Sequence, residues 1–289
     1  MGSMFNLEEF LGSQSELDSE LDLKLEPELE LDSKVGNKSH FGGGGNNYSD
    51  SHYGGYELNP KYQYNKSNLG ESLEVLHRSK GLMKTPRGMM FSFGFNPDQF
   101  NTDRLTQRFK EAFSKAITKR NRERKQKHLE DIKSGKKGVA AKLNKRSIPE
   151  IELIYSLECK LSKPKDSPPD QKKAKYHHVH MYVVVDTNHN EYGKIELALA
   201  LSEAIRGLGG VYEPHDEAKY GFLHLRKDPY IHENGFKEKF WHYLDDAEDF
   251  SDAFNRVCYL SKTSQKPLLD EKFKNQSFGH TRAKRKPKA

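Results

Sequence analysis

Tyr176-His177-His178-Val179-His180-Met181-Tyr182-Val183-Val184-Val185 is the stretch from which the rest of the chain can be read. Successive side chains of a strand point to opposite faces, so His178 and His180 project together while His177 and Val179 point the other way. From Met181 onward the run is apolar on both faces, which places the strand inside a sheet rather than at its edge. Imidazoles on a buried strand need polar partners. Two of them side by side can hold a divalent metal from one direction and leave its other positions open. A lone His-x-His is equally well explained by two structural histidines, so its neighbours decide. His177, on the other face, reads as structural.

The nearest neighbour in sequence is the apolar run Ile151 to Leu161, separated from the histidine strand by a polar, Pro-rich loop from Ser162 to Lys175. An antiparallel hairpin with Leu161 opposite His177 puts Glu158 directly across from His180. Cross-strand partners share a face with Cβ atoms about 5 Å apart. Glu158 then completes a two-histidine, one-carboxylate set. The register follows from loop symmetry alone, and a one-residue slip would turn the carboxylate away.

Further out, Met89 to Phe95 reads as another strand, ended by Asn96-Pro97. Asn101 or Thr102 can cap a long helix with Leu105, Phe109, Phe113, Ala116 and Ile117 on one stripe. Ile195 to Leu208 is amphipathic and stops at Gly209-Gly210, and Tyr220 to Leu225 reads as a fourth strand. Glu238 to about Gln265 reads as a helix burying Phe250, Phe254, Val257 and Cys258. The order βαββαβ plus a C-terminal helix predicts an α+β fold of the ferredoxin-like, split-βαβ plan.

That last helix carries Tyr259-Leu260-Ser261-Lys262. Tyr259 lies beside the buried stripe, and helical spacing puts Asn255, Lys262 and Lys266 on its side. Alone, Tyr259 reads as an amphipathic residue at a core edge. Beside a metal face, a phenol and an ammonium become a nucleophile and a charge stabiliser for phosphodiester cleavage through a phosphotyrosine.

Charge divides the chain. Residues 1–60 hold 12 Asp/Glu against three Lys, while the whole chain is +6, so the excess of positive charge lies in residues 61–289. Residues 1–75, with Pro27 inside an acidic leucine alternation and Gly42 to Gly45 after it, read as a solvated tail. An acidic stretch that folds back on the basic body is the sharper alternative. Residues 76–270 read as the folded domain and 271–289 as a basic tail. Residues 101–147 hold 16 Lys/Arg against five Asp/Glu, too one-signed for salt-bridge patterning. Arg104, Arg108, Lys119, Arg120, Arg122, Arg124, Lys125 and Lys127 on the long helix are therefore candidate phosphate contacts. Tyr182 and Trp241 are candidate stacking platforms. Two cysteines without a CxxC pair, Cys159 and Cys258, leave no disulfide framework or zinc ribbon and suit a reducing, cytoplasmic setting. No apolar run is long enough for a membrane span.

Taken together, Met90-Phe91-Ser92-Phe93, Leu157-Glu158, His178-Val179-His180, Tyr259-Leu260-Ser261-Lys262 and Ser277-Phe278-Gly279-His280-Thr281-Arg282 resemble the motifs of HUH-type rolling-circle replication initiators. The resemblance is closest to the filamentous-phage (inovirus-type) replication proteins and their prophage relatives, the YagK/YfjJ-like proteins, over roughly residues 87–282. It implies an HUH endonuclease that nicks one DNA strand at an origin in phage, prophage or plasmid DNA. Tyr259 would keep the 5′-phosphate, and Glu158, His178 and His180 would hold Mg²⁺ or Mn²⁺. It also implies single-stranded or origin DNA as partner, together with a host replication helicase or polymerase. Position 263 is Thr and 255 is Asn, which favours the one-tyrosine type. A DNA-binding regulator with an inactive site and a single-tyrosine transposase are the competing readings.

Overall fold

The computed structural model describes residues 47–138, 143–162, 172–187, 191–213, 222, 241–264 and 266–283. Three long strands form the centre: β5 (Pro86–Gly94), β6 (Ile151–Ser162) and β7 (Ala174–Asp186). Each is apolar on both faces, as strands covered on both sides must be, and β7 lies between the other two. Two short edge strands, β8 (His242–Tyr243) and β9 (Phe278–His280), complete a five-stranded antiparallel sheet in the order β8-β5-β7-β6-β9. Gly88 in β5 is obligatory, because a Cβ there would lie 2.0 Å from the Tyr182 hydroxyl on the neighbouring strand. The protein is α+β.

Strand parity assigns the two faces. Phe91, Leu153, Leu157, Val179, Met181 and Val183 face a core closed by helices α2 (Leu105–Lys133) and α3 (Lys194–Arg206). Met90, Ile154, Tyr182 and Val184 face the other core, closed by α1 (Lys66–Leu82) and α4 (Ala247–Cys258). His178, His180 and Glu158 have the parity of this second face. The hairpin register pairs Glu158 with His178 and Ser156 with His180. It is offset by two residues from the expected pairing of Glu158 with His180. An even offset preserves the face, so the carboxylate stays beside both imidazoles.

The chain enters its folded part earlier than the expected boundary at 75. Strands β1 (Asn47–Tyr48) and β4 (Tyr64–Asn65) pair, as do β2 (His52–Tyr53) and β3 (Tyr56–Glu57). Asn65 caps α1, its side chain accepting from the Asn68 N–H at 3.1 Å. Leu58 and Tyr64 are buried, and Tyr48, Tyr53, Tyr56 and Tyr62 pack against the same core. A tyrosine-rich composition that reads as sticky coil supplies burial here at low side-chain entropy cost.

Other boundaries also move. Arg104, in a left-handed conformation with φ 52°, is the N-cap of α2, not Asn101 or Thr102. The expected helix from Glu238 begins only at Ala247, where Asp246 caps it by accepting from the Asp249 N–H at 2.9 Å. It ends at Cys258 and passes through a 3₁₀ turn, Tyr259–Ser261, into extended backbone at Lys262. A β-bridge between Tyr64 and Lys262 holds that extension, overriding the helical spacing in the sequence. Residues after 270, expected as a basic tail, form the short helix α5 (Glu271–Lys274) and β9. The expected strand Tyr220–Leu225 lies outside the described residues except for buried Phe222, whose carbonyl accepts from the Ser92 N–H at 3.0 Å. Among the described residues no helix is long and apolar enough to cross a membrane.

Candidate metal and tyrosine site

Glu158 has no solvent exposure, which for a carboxylate demands compensation. The Ser156 hydroxyl donates to its Oε1 at 3.2 Å. Oε2 faces the Lys262 ammonium at 3.0 Å, His178 Nε2 at 3.6 Å and His180 Nε2 at 3.8 Å. No donor is aligned on Oε2 for a hydrogen bond. Burial is the strongest influence on this carboxyl and pushes its pKa up. The His178 hydrogen bond and the charges of His180 and Lys262 together outweigh it, holding Glu158 at about 2.

The histidines are oriented from behind. His178 Nδ1 lies 3.4 Å from the Tyr176 carbonyl, leaving Nε2 directed at Glu158, and the Tyr176 ring stacks on His178 at 5.5 Å. A backbone carbonyl on the far ring nitrogen is the usual device for fixing a ligating imidazole. The His178 and His180 rings meet edge-to-face at 5.0 Å.

Glu158, His178 and His180 offer ligand atoms that all lie within 4.8 Å of one another. Adjacent ligand atoms around a small divalent cation stand about 3 Å apart for bonds of about 2.1 Å. The 3.6 and 3.8 Å separations here are within a small side-chain adjustment of that. A buried carboxylate oxygen with no aligned donor, flanked by two oriented imidazole nitrogens, fits a metal ion. This cluster can bind one.

Tyr259 sits over the open side of the cluster. Its ring meets that of His180 edge-to-face at 5.1 Å and that of Tyr62 at 5.7 Å. Lys262, itself 2% exposed, places its ammonium 3.4 Å from the Tyr259 ring centroid while pairing with Glu158. Phenol, ammonium and carboxylate thus form one contiguous group, with the ammonium in the middle. Burial, then the Glu158 charge, raises the Tyr259 phenol above its ordinary pKa. Lys266 is held down at about 8, chiefly by burial, with the Lys262 charge adding to the effect and Glu158 opposing it.

Sequence reading brings together Glu158, His178, His180, Tyr259 and Lys262, and these five residues do converge. It missed Tyr62 and the Tyr64 bridge, both inside the expected tail; the period Leu69, Val75, Leu76 behind an Asn65 cap was the available signal. It also missed the chain Tyr182–His242–Asp252. Tyr182 Oη is 2.9 Å from His242 Nδ1, and His242 Nε2 is 3.0 Å from Asp252 Oδ2. This buried relay ties the histidine strand to α4, the helix that leads into Tyr259. Tyr182 and Trp241, proposed as stacking platforms, are both buried.

The basic helix α2 lies on the opposite face of the sheet from this cluster. Its eight candidate cations divide by environment. Arg108 donates to the Asn101 and Leu208 carbonyls at 2.6 and 2.5 Å. Lys119 and Arg120 pair with Glu203 of α3 at 3.1 and 2.8 Å, and Arg124 donates to the Asn144 carbonyl. Arg104 bonds Gln107 within its own helix. Arg122, Lys125 and Lys127 are exposed, beyond Ile117, where α2 has no buried residue. No family model, curated protein or solved structure matches the chain.

Proposed function

We propose that the protein is a metal-dependent single-strand DNA endonuclease of the HUH type, using Tyr259 as its one nucleophile. The observation that carries this reading is the convergence of Tyr259 and Lys262 on Glu158, His178 and His180, from segments 81 residues or more apart in the chain. The strand order β8-β5-β7-β6 supports it, since fourth, first, third and second strands in that sequence are the ferredoxin-like arrangement. Mg²⁺ or Mn²⁺, held by Glu158, His178 and His180, supplies Lewis-acid polarisation of the scissile phosphate.

The side chains do the rest. Tyr259 Oη attacks phosphorus, the bond to the 3′ oxygen breaks, and the 5′-phosphate stays on the tyrosine. Lys262 offsets negative charge that develops beside the phenol. The reading makes single-stranded or origin DNA the substrate in the cytoplasm, and a host helicase or polymerase the user of the freed 3′-hydroxyl.

The test is a covalent adduct with circular single-stranded DNA and metal, surviving denaturation and removed by nuclease. Wild type should form it and Tyr259→Phe should not, while both bind DNA alike. Binding without an adduct in wild type favours the regulator reading, and strand joining favours a transposase.

A further inference from the structure

The edge of the sheet beyond β6 carries a second feature that the metal cluster does not use. A cleft of about 690 Å³ opens between β9 and the N-terminus of α2. Arg104 and Arg282, both exposed, line it, together with Thr106, Tyr155 and Phe278. No side chain caps α2 and no acidic residue occupies its first turn, so the positive end of a 29-residue helix faces the cleft uncompensated. The one carboxylate in the lining, Glu71, is paired with His280 Nε2 at 3.0 Å.

Two buried polar groups point to a ligand. Tyr155 is 6% exposed, and among the described residues its hydroxyl has no hydrogen-bond partner. Its ring tip lies over Gly279, where a Cβ would come within 2.6 Å, so the residue opposite it has to be glycine. Gln276 uses its Nε2 on Asp103 at 3.1 Å, and its Oε1 is buried without a donor. A buried phenol left unpaired in a cleft costs stability unless something fills its hydrogen-bonding capacity.

The cleft also adjoins the metal cluster. Phe278 pairs across the sheet with Ser156, and Ser156 pairs on its other side with His180. Two strand spacings, about 10 Å, separate the β9 edge from the histidine. Lys266 bridges the interval, its ammonium 5.5 Å over the Phe278 ring.

We infer that this cleft is a second binding site for single-stranded nucleic acid. It seats a backbone phosphate between Arg104, Arg282 and the α2 N-terminus, with Phe278 as a surface for the adjoining base. Arginine guanidinium groups and a helix N-terminus are both suited to a phosphodiester, and an aromatic edge residue tolerates any base. The inference rests on the reading of this chain as acting on single-stranded DNA, and it adds where the strand flanking the cleavage point is held.

Fluorescence anisotropy with labelled oligothymidine on the full-length chain tests it, across a salt series and at two lengths, about 5 and about 16 nucleotides. Arg104→Asn keeps a residue tolerant of the left-handed backbone and is combined with Arg282→Gln; circular dichroism checks the fold. The double variant should bind the longer oligonucleotide at least tenfold more weakly, with the salt slope reduced by about 1.4 for two lost phosphate contacts. Tyr155→Phe should weaken it about threefold. His178→Ala and Tyr259→Phe should leave this binding unchanged. Unchanged affinity and slope in the double variant overturn the inference, even if wild type forms the tyrosine adduct. Loss of affinity in the double variant, with no adduct in wild type, upholds the cleft and rejects the endonuclease reading. Competition by inorganic phosphate with no dependence on length shows an anion site only and overturns it, as does a wild type that binds no single strand.

Discussion

Lys262 Nζ lies 3.0 Å from Glu158 Oε2, and neither side chain reaches solvent to any useful extent. A buried pair of this kind contributes little net stability, yet removing one partner leaves a naked charge and costs about 3–5 kcal/mol. Lys262→Met should therefore destabilise the protein by that order, and Glu158→Gln combined with Lys262→Met should cost less than the sum of the single changes. Urea unfolding of the four proteins of the cycle measures the coupling.

The same pair sets the acid limb of stability. Glu158 is held at about 2 against an ordinary 4.5. Its contribution is therefore complete above pH 4.5 and is lost as the pH falls from there toward 2. Lys262→Met removes one of the positive influences, so the loss should begin at a higher pH. Unfolding free energies measured from pH 2 to 6 would show unchanged acid limbs if Lys262 did not act on Glu158.

Lys266 makes the opposite prediction on the alkaline side. Its folded pKa of about 8 lies below the ordinary 10.5, so the unfolded chain binds the extra proton between those values. Stability should rise with pH across that window. Lys266→Met should flatten the rise and be more stable than wild type below pH 8, as thermal unfolding in a buffer series would register.

Metal binding should depend on all three ligands. Isothermal titration with Mn²⁺ should give one site in wild type, weakened at least tenfold in His178→Ala, His180→Ala and Glu158→Gln. Equal binding by wild type and the double histidine variant removes the assignment.

Arg122, Lys125 and Lys127 are exposed and lie on the face of the sheet remote from Glu158. If they track phosphates, each change to Gln should lower the log–log salt slope by about 0.7 on single strands, without altering adduct yield on an oligonucleotide just long enough to reach Tyr259.

The histidine strand was legible because period-2 parity survives errors of even length. The pairing of Glu158 was misplaced by two residues, and the carboxylate still fell on the right face. Phe250, Phe254, Val257 and Cys258 were legible for the analogous reason, a stripe at helical period. Lys262 was reached by reasoning that does not describe it: helical spacing put it beside Tyr259, whereas a bridge to Tyr64, nearly 200 residues upstream, places it there in extended backbone. Contacts of that sequence separation leave no local pattern. The segment 47–65 was misread because its short strands have no period to detect, and its tyrosines declare burial only once α4 is present to pack against. The position of the basic helix behind the sheet was implicit in the βαββαβ order, but composition alone pointed to its charge and not to its side.

The relay Tyr182–His242–Asp252 bears on how such a site can change over generations. Each member satisfies the next, so losing any one strands a buried phenol or imidazole without its partner. Drift at these three positions should then proceed by joint replacement, and polar or apolar sets should be inherited whole. The strand that bears the histidines and the helix that delivers the tyrosine would accordingly be constrained as a single unit of descent, although some 60 residues of chain lie between them.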